Sequence, residues 1–334
     1  MKGLDLVPAA SGPLTRKDFV PGTEVRWCPG CGDYAVLATF QGLLPTLGIK
    51  KENFVIVSGI GCSSRFPYYV DTYGMHAIHG RPAAIATGVA LAREDLAVLV
   101  VTGDGDALSI GGNHLIHALR RNVNITIILF NNRIYGLTKG QASPTSERGK
   151  ITKSTPFGLV DEPFNAVSLA LGAGATFVAR TIDSQRAHLT EVLKAAIEHR
   201  GAALVEIFQN CQIFNDGAFD ALKGPDAELI PLVDGQPVVF GKDNSLSVVR
   251  NAQGVLEVAT AGTPVVHDKT NAGLAFELSQ LTDAGVITRA PIGIFRDVEK
   301  PTSDDLARAQ LSWPEDRVAA LQELITGKDT WTIE

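Results

Sequence analysis

Several features that mark particular functional classes are scarce or missing in this sequence. Its 334 residues include only four cysteines, and 30 lysines and arginines against 36 aspartates and glutamates give a net charge of −6. Because no block of basic residues is present, nucleic acid is not expected as a partner. The longest apolar runs, at 96–101 and 125–130, are much shorter than the ~20 residues that cross a bilayer, so no membrane partner is expected either.

The amino terminus and the low cysteine count point to a reducing compartment. The opening residues, MKGLDLVPAASGPLTRKD, contain no apolar core of the kind found in secretory signals, so we expect a cytoplasmic protein. Structural disulfides are rare in the cytosol. The four cysteines are therefore expected to be either buried core thiols or ligands.

Apolar stretches alternate with helix-like stretches over the first two thirds of the chain. Strand-forming segments occur within 53–62, 96–109, 125–132, 168–183 and 203–211. Fully apolar strands joined through helices predict an α/β fold with a doubly wound, mostly parallel sheet, in which ligands bind beyond the carboxyl ends of the strands. We divide the chain into a loosely ordered N-terminal arm (1–24), the α/β domain (25–215) and a C-terminal extension (216–334).

Two polar motifs follow neighbouring strands. Asp104 lies between two glycines after one strand, and Asn132 follows the next strand 28 residues later. Adjacent parallel strands bring such side chains to one edge of a sheet, where hard oxygen ligands suit Mg²⁺ and glycines let backbone N–H groups approach an anion. An ordinary turn between strand and helix is the simpler alternative. A nicotinamide site fits less well, because no GxGxxG opens a helix after the first strand.

The same two motifs resemble the thiamine diphosphate motif, which begins GDG and ends NN about thirty residues later. The resemblance implies that Asp104, the Asn132 side chain and the Ile134 carbonyl hold Mg²⁺. It also implies a further set of residues bordering the diphosphate: Gly105, Asp106, Gly136 and Leu137.

The cysteines leave several interpretations open. Cys28 and Cys31 form a CPGC motif, Cys62 ends the turn after the first strand, and Cys211 follows the last strand of the α/β domain. A redox dithiol would use only the first two cysteines. A zinc site typically uses a second close pair, which is absent. Four thiolates also suffice for one 4Fe-4S cluster, whereas Cys62 and Cys211 as plain core thiols are the simplest alternative.

Six motifs in this order, CPGCG, IGCSSR, HGRPAAIATG, TGDGD, FNNRIYGLTKGQ and EIFQNC, resemble the β subunit of 2-oxoacid:ferredoxin oxidoreductases. The resemblance covers about residues 20–215. It implies thiamine diphosphate with Mg²⁺, and oxidative decarboxylation of a 2-oxoacid with coenzyme A, the electrons passing to ferredoxin. It also implies one 4Fe-4S cluster on Cys28, Cys31, Cys62 and Cys211. The turn formed by Ile60, Gly61, Cys62 and Ser63 would border the thiamine diphosphate.

Three further side chains are candidate catalytic residues. His79 is expected near the reacting carbon, although a histidine that supports a turn is nearly as good an interpretation. Arg65 and Lys139 lie on two loops that face the cofactor and are candidates for binding phosphate or substrate carboxylates. Because Lys139 adds a cation where pyruvate-specific relatives more often have a small residue, a dicarboxylate such as 2-oxoglutarate is favoured. Pyruvate and other 2-oxoacids are the alternatives.

Thiamine diphosphate is usually bound across two α/β domains, and this chain carries only the diphosphate half. A partner α subunit, or a fused α/γ chain, is therefore expected to supply the activating glutamate, and a dimer of αβ pairs is predicted. The competing non-enzymatic hypothesis is an electron-transfer subunit with a vestigial cofactor site. The intact GDG and NN motifs argue against it.

Overall fold

A computed structural model describes residues 2–224, 227–329, 331 and 333. The strands are β1 Phe54–Ser58, β2 Tyr73–His76, β3 Ala97–Gly103, β4 Ile125–Asn131, β5 Phe177–Ile182, β6 Ala202–Phe208, β7 Glu228–Leu232, β8 Val239–Phe240, β9 Leu246–Arg250, β10 Leu256–Ala259 and β11 Arg289–Asp297. The α-helices are α1 Asp33–Leu43, α2 Pro82–Ala92, α3 Gly112–Arg120, α4 Ala166–Gly172, α5 Arg186–Glu198, α6 Ala272–Ser279, α7 Ser303–Ala309 and α8 Arg317–Thr326.

Eight strands form one sheet in the order β2-β1-β3-β4-β6-β5-β11-β7, and β8, β9 and β10 form a small antiparallel sheet. The first six strands of the large sheet are mutually parallel, and only the pairing of β11 with β5 is antiparallel. The prediction of a mostly parallel α/β sheet is confirmed.

Helices cover both faces of the large sheet because its central strands are apolar on both sides. Along β3, Val98 and Val100 join one buried cluster, while Leu99 and Val101 join the other. Such alternation follows from the two-residue period of a strand. Helices α2, α3, α4 and α6 contribute to the first cluster, and α1 and α5 to the second. Among the described residues, none of the helices has the length and apolar character needed to cross a bilayer.

The two end regions differ from their description in the sequence analysis. Residues 2–24 have little regular structure, yet Phe19 is fully buried and its ring packs edge-on against Phe54 at 5.8 Å. The expected loose arm is instead packed against the sheet. The predicted C-terminal extension contributes β7 and β11 to the main sheet. It is therefore structurally continuous with the α/β domain, through strand pairing that alternation in the sequence did not reveal.

Candidate functional site

The carboxyl edge of the sheet gathers most of the predicted site. Strands β3 and β4 pair in parallel with Gly103 opposite Phe130, so Asp104 and Asn132 both emerge at this edge. Strand β6 also pairs in parallel with β4, with Phe208 opposite Asn131, and Cys211 follows three residues after Phe208. Strand β1 ends there too, before the turn that contains Cys62. Parallel pairing thus places both cofactor motifs and two cysteines at one edge.

Asp104 is a buried carboxylate that accepts hydrogen bonds from the hydroxyls of Ser143 and Thr145. Burial raises its pKa to about 6, although these hydroxyls oppose the rise. The half-buried Asn132 accepts a hydrogen bond at Oδ1 from the Ile134 amide at 3.2 Å. Carboxylate and amide oxygens of this kind are the ligands that Mg²⁺ uses in proteins.

The neighbouring Asn131 has a structural role. Its Nδ2 donates to Glu206 at 2.8 Å, and its Oδ1 accepts from Thr145 at 2.8 Å. Glu206 in turn forms a fully buried ion pair with Arg180 at 2.6 Å. The first asparagine of the NN pair therefore fixes the end of β4, which leaves Asn132 as the candidate ligand.

Asp106 is a buried anchor between three loops. Its Oδ1 accepts hydrogen bonds from the amides of Ile60 and Gly80 and from Nδ1 of His79, at 3.1, 2.7 and 2.5 Å. Its Oδ2 accepts from the Thr102 hydroxyl at 2.6 Å. The side chain is thus committed to holding protein groups, and the contact of Asp106 with a diphosphate stays a prediction that its backbone would have to meet.

The contact with Asp106 fixes His79. Because Nδ1 faces the carboxylate, Nδ1 carries the proton and Nε2 is left available, with 36% of the side chain exposed. The ring also lies edge-on to Tyr135, with centroids 6.5 Å apart. His79 therefore supports the turn through Asp106, and its place near a reacting carbon stays a prediction.

Glycines at this edge permit close packing. A Cβ at Gly105 would lie 2.1 Å from the ring of Tyr135, whose hydroxyl donates to the Gly105 carbonyl at 3.3 Å. Gly105 also precedes a short π-helical turn, Asp106–Ile110, whose start faces the same edge. Only glycine therefore fits between the GDG turn and the aromatic ring.

The four cysteines are unpaired and converge at one place. A Cβ at Gly136 would lie 3.6 Å from the sulfurs of both Cys62 and Cys211, so these two thiols are neighbours across Gly136. The indole of Trp27 donates to the Cys62 carbonyl at 2.7 Å and thereby ties the CPGC segment to the Cys62 turn. The Cys31 sulfur lies 3.4 Å from Nε2 of Gln209, which follows β6 two residues before Cys211.

The CPGC loop is fastened to the segment around Cys211. Gly30 has a φ of +79°, and its backbone packs directly on the side chain of Gln212. With its nitrogen turned towards the loop, the Gln212 amide donates to the carbonyls of Pro29 and Gly30 at 3.0 and 3.3 Å. The Gly32 amide also donates to the Asn210 carbonyl at 3.1 Å. These contacts bring Cys28 and Cys31 to the edge where Cys211 lies.

The protonation properties of the thiols disfavour a redox dithiol. Burial raises the pKa of Cys31 far above that of a free thiol, and it raises the pKa of Cys62 to about 12, with the charge of Asp33 adding to the rise. Reactive dithiols instead show lowered pKa values. Among the described residues, no three His, Cys, Asp or Glu side chains are close enough to hold a single metal ion.

A cavity of about 570 Å³ opens beside the Cys62 turn. Its lining includes Arg26, Ile60, Gly61, Arg65, Tyr68, His76 and Leu137. Arg65 donates to the Arg26 carbonyl at 3.2 Å and so belongs to the wall of this cavity. Lys139 lies two residues beyond Leu137, in a turn with φ of +79°, and its exposed ammonium makes no hydrogen bond or ion pair with the residues that are described. The structure thus joins Arg65 to the cofactor turn and leaves Lys139 on the loop surface.

Several residues of the site carried no clear sequence signal. Ser143 and Thr145 reach Asp104 from about forty positions away, and nothing in their local sequence announces it. Asp33, beside Cys31, is fully buried, and neither carboxylate oxygen has a hydrogen-bond partner among the described residues. Burial raises its pKa to about 7. The position of Gln209, a polar residue directly after an apolar strand, is the one sequence feature that could have indicated a site residue. Its amide contacts the Cys31 sulfur.

The arrangement defines a class of protein. Residues 59–207 match the family described as "Thiamine pyrophosphate enzyme, C-terminal TPP binding domain", a range that runs from just after β1 into β6. Among solved structures, a 2-oxoglutarate:ferredoxin oxidoreductase from Magnetococcus marinus, determined with 2-oxoglutarate, coenzyme A and succinyl-CoA bound, has a chain that superposes with a TM-score of 0.74 at 34% identity. The match covers 97% of this chain and 96% of that one.

Curated relatives narrow the class. The 2-oxoglutarate oxidoreductase subunit KorB of Mycobacterium tuberculosis is 58% identical, over 98% of this chain and 91% of that protein. The β subunit of 2-oxoacid:ferredoxin oxidoreductase 1 of Aeropyrum pernix is 47% identical, over 58% of this chain and 62% of that protein. The chain belongs to the β subunits of the 2-oxoacid:ferredoxin oxidoreductase family, and the resemblance inferred from the motifs is confirmed.

Proposed function

We propose that the chain is the β subunit of a 2-oxoglutarate:ferredoxin oxidoreductase. With its α subunit it converts 2-oxoglutarate and coenzyme A to succinyl-CoA, CO₂ and a proton, and passes two electrons, one at a time, to ferredoxin. The observation that carries the proposal is the convergence of Asp104, Asn132 and four cysteines at the carboxyl edge of one sheet. The 58% identity to a 2-oxoglutarate oxidoreductase subunit supports this choice of substrate.

The residues at the edge fit Mg²⁺ and thiamine diphosphate. The buried carboxylate of Asp104 has no cationic partner in direct contact in the described part of the chain, and a divalent cation would compensate its charge. Asp104, Asn132 and the Ile134 carbonyl would hold the metal, and the backbone of the Gly105 turn would border the diphosphate. When bound, the cofactor supplies the electron sink for decarboxylation. Asp106 holds the Ile60 turn and His79 in place, and His79 presents Nε2 for a hydrogen bond or a proton.

The four cysteines fit one 4Fe-4S cluster. Buried thiols with raised pKa values ionise when they bind a metal, and the Gln209 amide already donates to the Cys31 sulfur. Cys62 follows Ile60 and Gly61 in the same turn, so the cluster ligands and the thiamine diphosphate residues share one wall. A cluster there accepts electrons released at the cofactor, whereas zinc has no redox chemistry. Cys28→Ala should remove iron while Mg²⁺ and thiamine diphosphate still bind.

We assign binding of the substrate's distal carboxylate to two cationic side chains on the loops, Arg65 and Lys139. Arg65 lines the 570 Å³ cavity, and the exposed Lys139 is not neutralised by a described partner. We expect Lys139→Ala to raise the KM for 2-oxoglutarate about tenfold while pyruvate turnover, where present, changes little. Lys153→Ala, at an exposed lysine further along the same segment, is the control. An unchanged KM in the Lys139 variant would remove Lys139 from the substrate site.

The remaining assignments concern the assembly. The α subunit would contribute the glutamate that activates the cofactor, and the working enzyme would be a dimer of αβ pairs in the reducing cytoplasm. Within this chain, residues 25–215 would carry both cofactors, whereas residues 216–334 brace the sheet.

One experiment tests the proposal as a whole. The αβ complex, purified without oxygen, should contain about four irons per β chain and should reduce a redox dye only with 2-oxoacid and coenzyme A together. A panel of 2-oxoacids identifies the preferred substrate. Zinc or no metal in place of iron would exclude the cluster, and decarboxylation by the isolated β chain would exclude the need for an α subunit.

A further inference from the structure

We infer that Gln209 is a positioning residue that sets the reduction potential of the cluster by donating a hydrogen bond to the Cys31 sulfur. This inference rests on the proposed function, since it requires a cluster on the four cysteines. Gln209 lies directly after β6 and is 1% exposed. Its Nε2 is 3.4 Å from the Cys31 sulfur, a normal distance for an N–H to sulfur hydrogen bond.

The position of the Gln209 amide is determined from several sides. Its backbone amide donates to the Asn131 carbonyl at 3.0 Å, which ties it to the end of β4. Nε2 also donates to the Asn210 carbonyl at 2.5 Å, so both neighbours of this nitrogen are acceptors. The reverse orientation of the amide would place Oε1 against a carbonyl oxygen and a sulfur. The N–H group is therefore held towards the thiolate.

An N–H group directed at a cluster sulfur affects the two oxidation states differently. Reduction adds one electron to the cluster, and part of the added negative charge resides on the ligand sulfurs. A hydrogen-bond donor stabilises that charge and so raises the reduction potential. Among the described residues, Gln209 makes the one hydrogen bond to a cysteine sulfur, and because the donor is a side chain, a substitution removes it.

The test compares three variants of the complete αβ enzyme purified without oxygen. Gln209→Leu and Gln209→Met both remove the donor and keep an apolar side chain of similar length. Gln212→Leu is the comparison variant for loosening of the CPGC loop, because its amide donates to the Pro29 and Gly30 carbonyls and leaves the hydrogen bond to the Cys31 sulfur in place. Each sample is titrated with dithionite at controlled potential, and the reduced cluster is followed by electron paramagnetic resonance.

Both Gln209 variants should keep about four irons per chain and show a lower midpoint potential. Loss of one hydrogen bond should weaken the one-electron reduction equilibrium about tenfold, which corresponds to ~59 mV. The Gln212 variant loosens the loop and keeps the donor to sulfur, so its midpoint potential should shift less than that of either Gln209 variant.

Three outcomes would overturn the inference. An unchanged potential in iron-loaded Gln209 variants would show that the bond does not influence the cluster. An equal shift in the Gln212 variant would assign the effect to loosening of the loop, and loss of iron in both Gln209 variants would assign Gln209 to cluster assembly. Absence of a cluster from the unmodified enzyme is a separate result, because it would refute the proposed function itself.

Discussion

Replacement of Asp106 tests the assignment of this carboxylate as the buried anchor of the site loops. Asp106→Ala removes the acceptor of four hydrogen bonds, of which those to the Gly80 amide and the Thr102 hydroxyl are fully buried. Each buried donor left without a partner costs roughly 1–3 kcal/mol. His79 regains water at its exposed face, and the Thr102 hydroxyl has the Gly103 carbonyl as a second acceptor at 3.4 Å. We therefore expect a loss of about 3–5 kcal/mol in the free energy of unfolding.

Asp106→Asn separates the charge from the geometry. An asparagine keeps Oδ1 in place for three donors and turns Nδ2 towards the Thr102 hydroxyl, which accepts as well as donates. The hydrogen bonds lose only the extra strength that the carboxylate charge gives them, so the free energy of unfolding of the Asn variant should fall by about 1 kcal/mol. The exposed Asp161→Ala serves as control and should stay within about 0.5 kcal/mol of the unmodified protein.

Urea denaturation followed by circular dichroism measures these differences, and loss of tryptophan fluorescence on titration measures the Kd for thiamine diphosphate with Mg²⁺. The Ala variant should bind the cofactor at least tenfold more weakly, because the Ile60 turn and His79 lose their common support. If both Asp106 variants unfold like the unmodified protein, the carboxylate is not the anchor described here.

Three further changes have defined outcomes. Burial raises the Asp104 pKa to about 6, and metal binding needs the ionised carboxylate. The Kd for Mg²⁺ with thiamine diphosphate should therefore rise about tenfold per pH unit below pH 6 and be constant above pH 7. A Kd that isothermal titration calorimetry finds to be independent of pH would contradict this. The Asp33 pKa is raised from 3.8 to about 7, so the metal-free protein loses stability as pH rises through this interval. Asp33→Asn should then stabilise it by up to about 4 kcal/mol at pH 8 and little at pH 4 in urea denaturation, and equal effects at both would refute the reasoning. Gly105→Ala places a methyl group 2.1 Å from the Tyr135 ring and should abolish cofactor binding, whereas Gly88→Ala, with open space on α2, should bind normally and unfold at a slightly higher temperature.

The order of motifs predicted where the chemistry lies. Apolar strands must be buried on both faces, so their alternation with helices predicted a parallel sheet, and the ends of parallel strands meet at one edge. For that reason the positions of Asp104, Asn132 and Cys211 after their strands were sufficient to bring them together. The regions outside strictly alternating segments were harder to predict. Strands β7 and β11 join the main sheet by pairing across long distances in sequence, and no local pattern encodes such partners.

Side-chain roles within the edge depended on packing. The TGDGD segment contains two aspartates, Asp104 and Asp106, which strand periodicity alone does not distinguish because both follow the same strand. The tertiary structure turns Asp104 towards hydroxyls beside Asn132 and turns Asp106 into contact with backbone amides from other loops. Arg133 is a further example, because its guanidinium holds the carbonyls of Ala284 and Gly285 from the C-terminal region.

The sequence by itself determined the family, the sheet and the residue types at its carboxyl edge, because strand periodicity and motif spacing are local properties of the chain. Only the tertiary structure decided which carboxylate is an anchor and which is a candidate ligand. It also decided which amide reaches the Cys31 sulfur and which thiols lie across Gly136. These are contacts between side chains from distant segments, and they exist only after the loops at the edge have packed against one another.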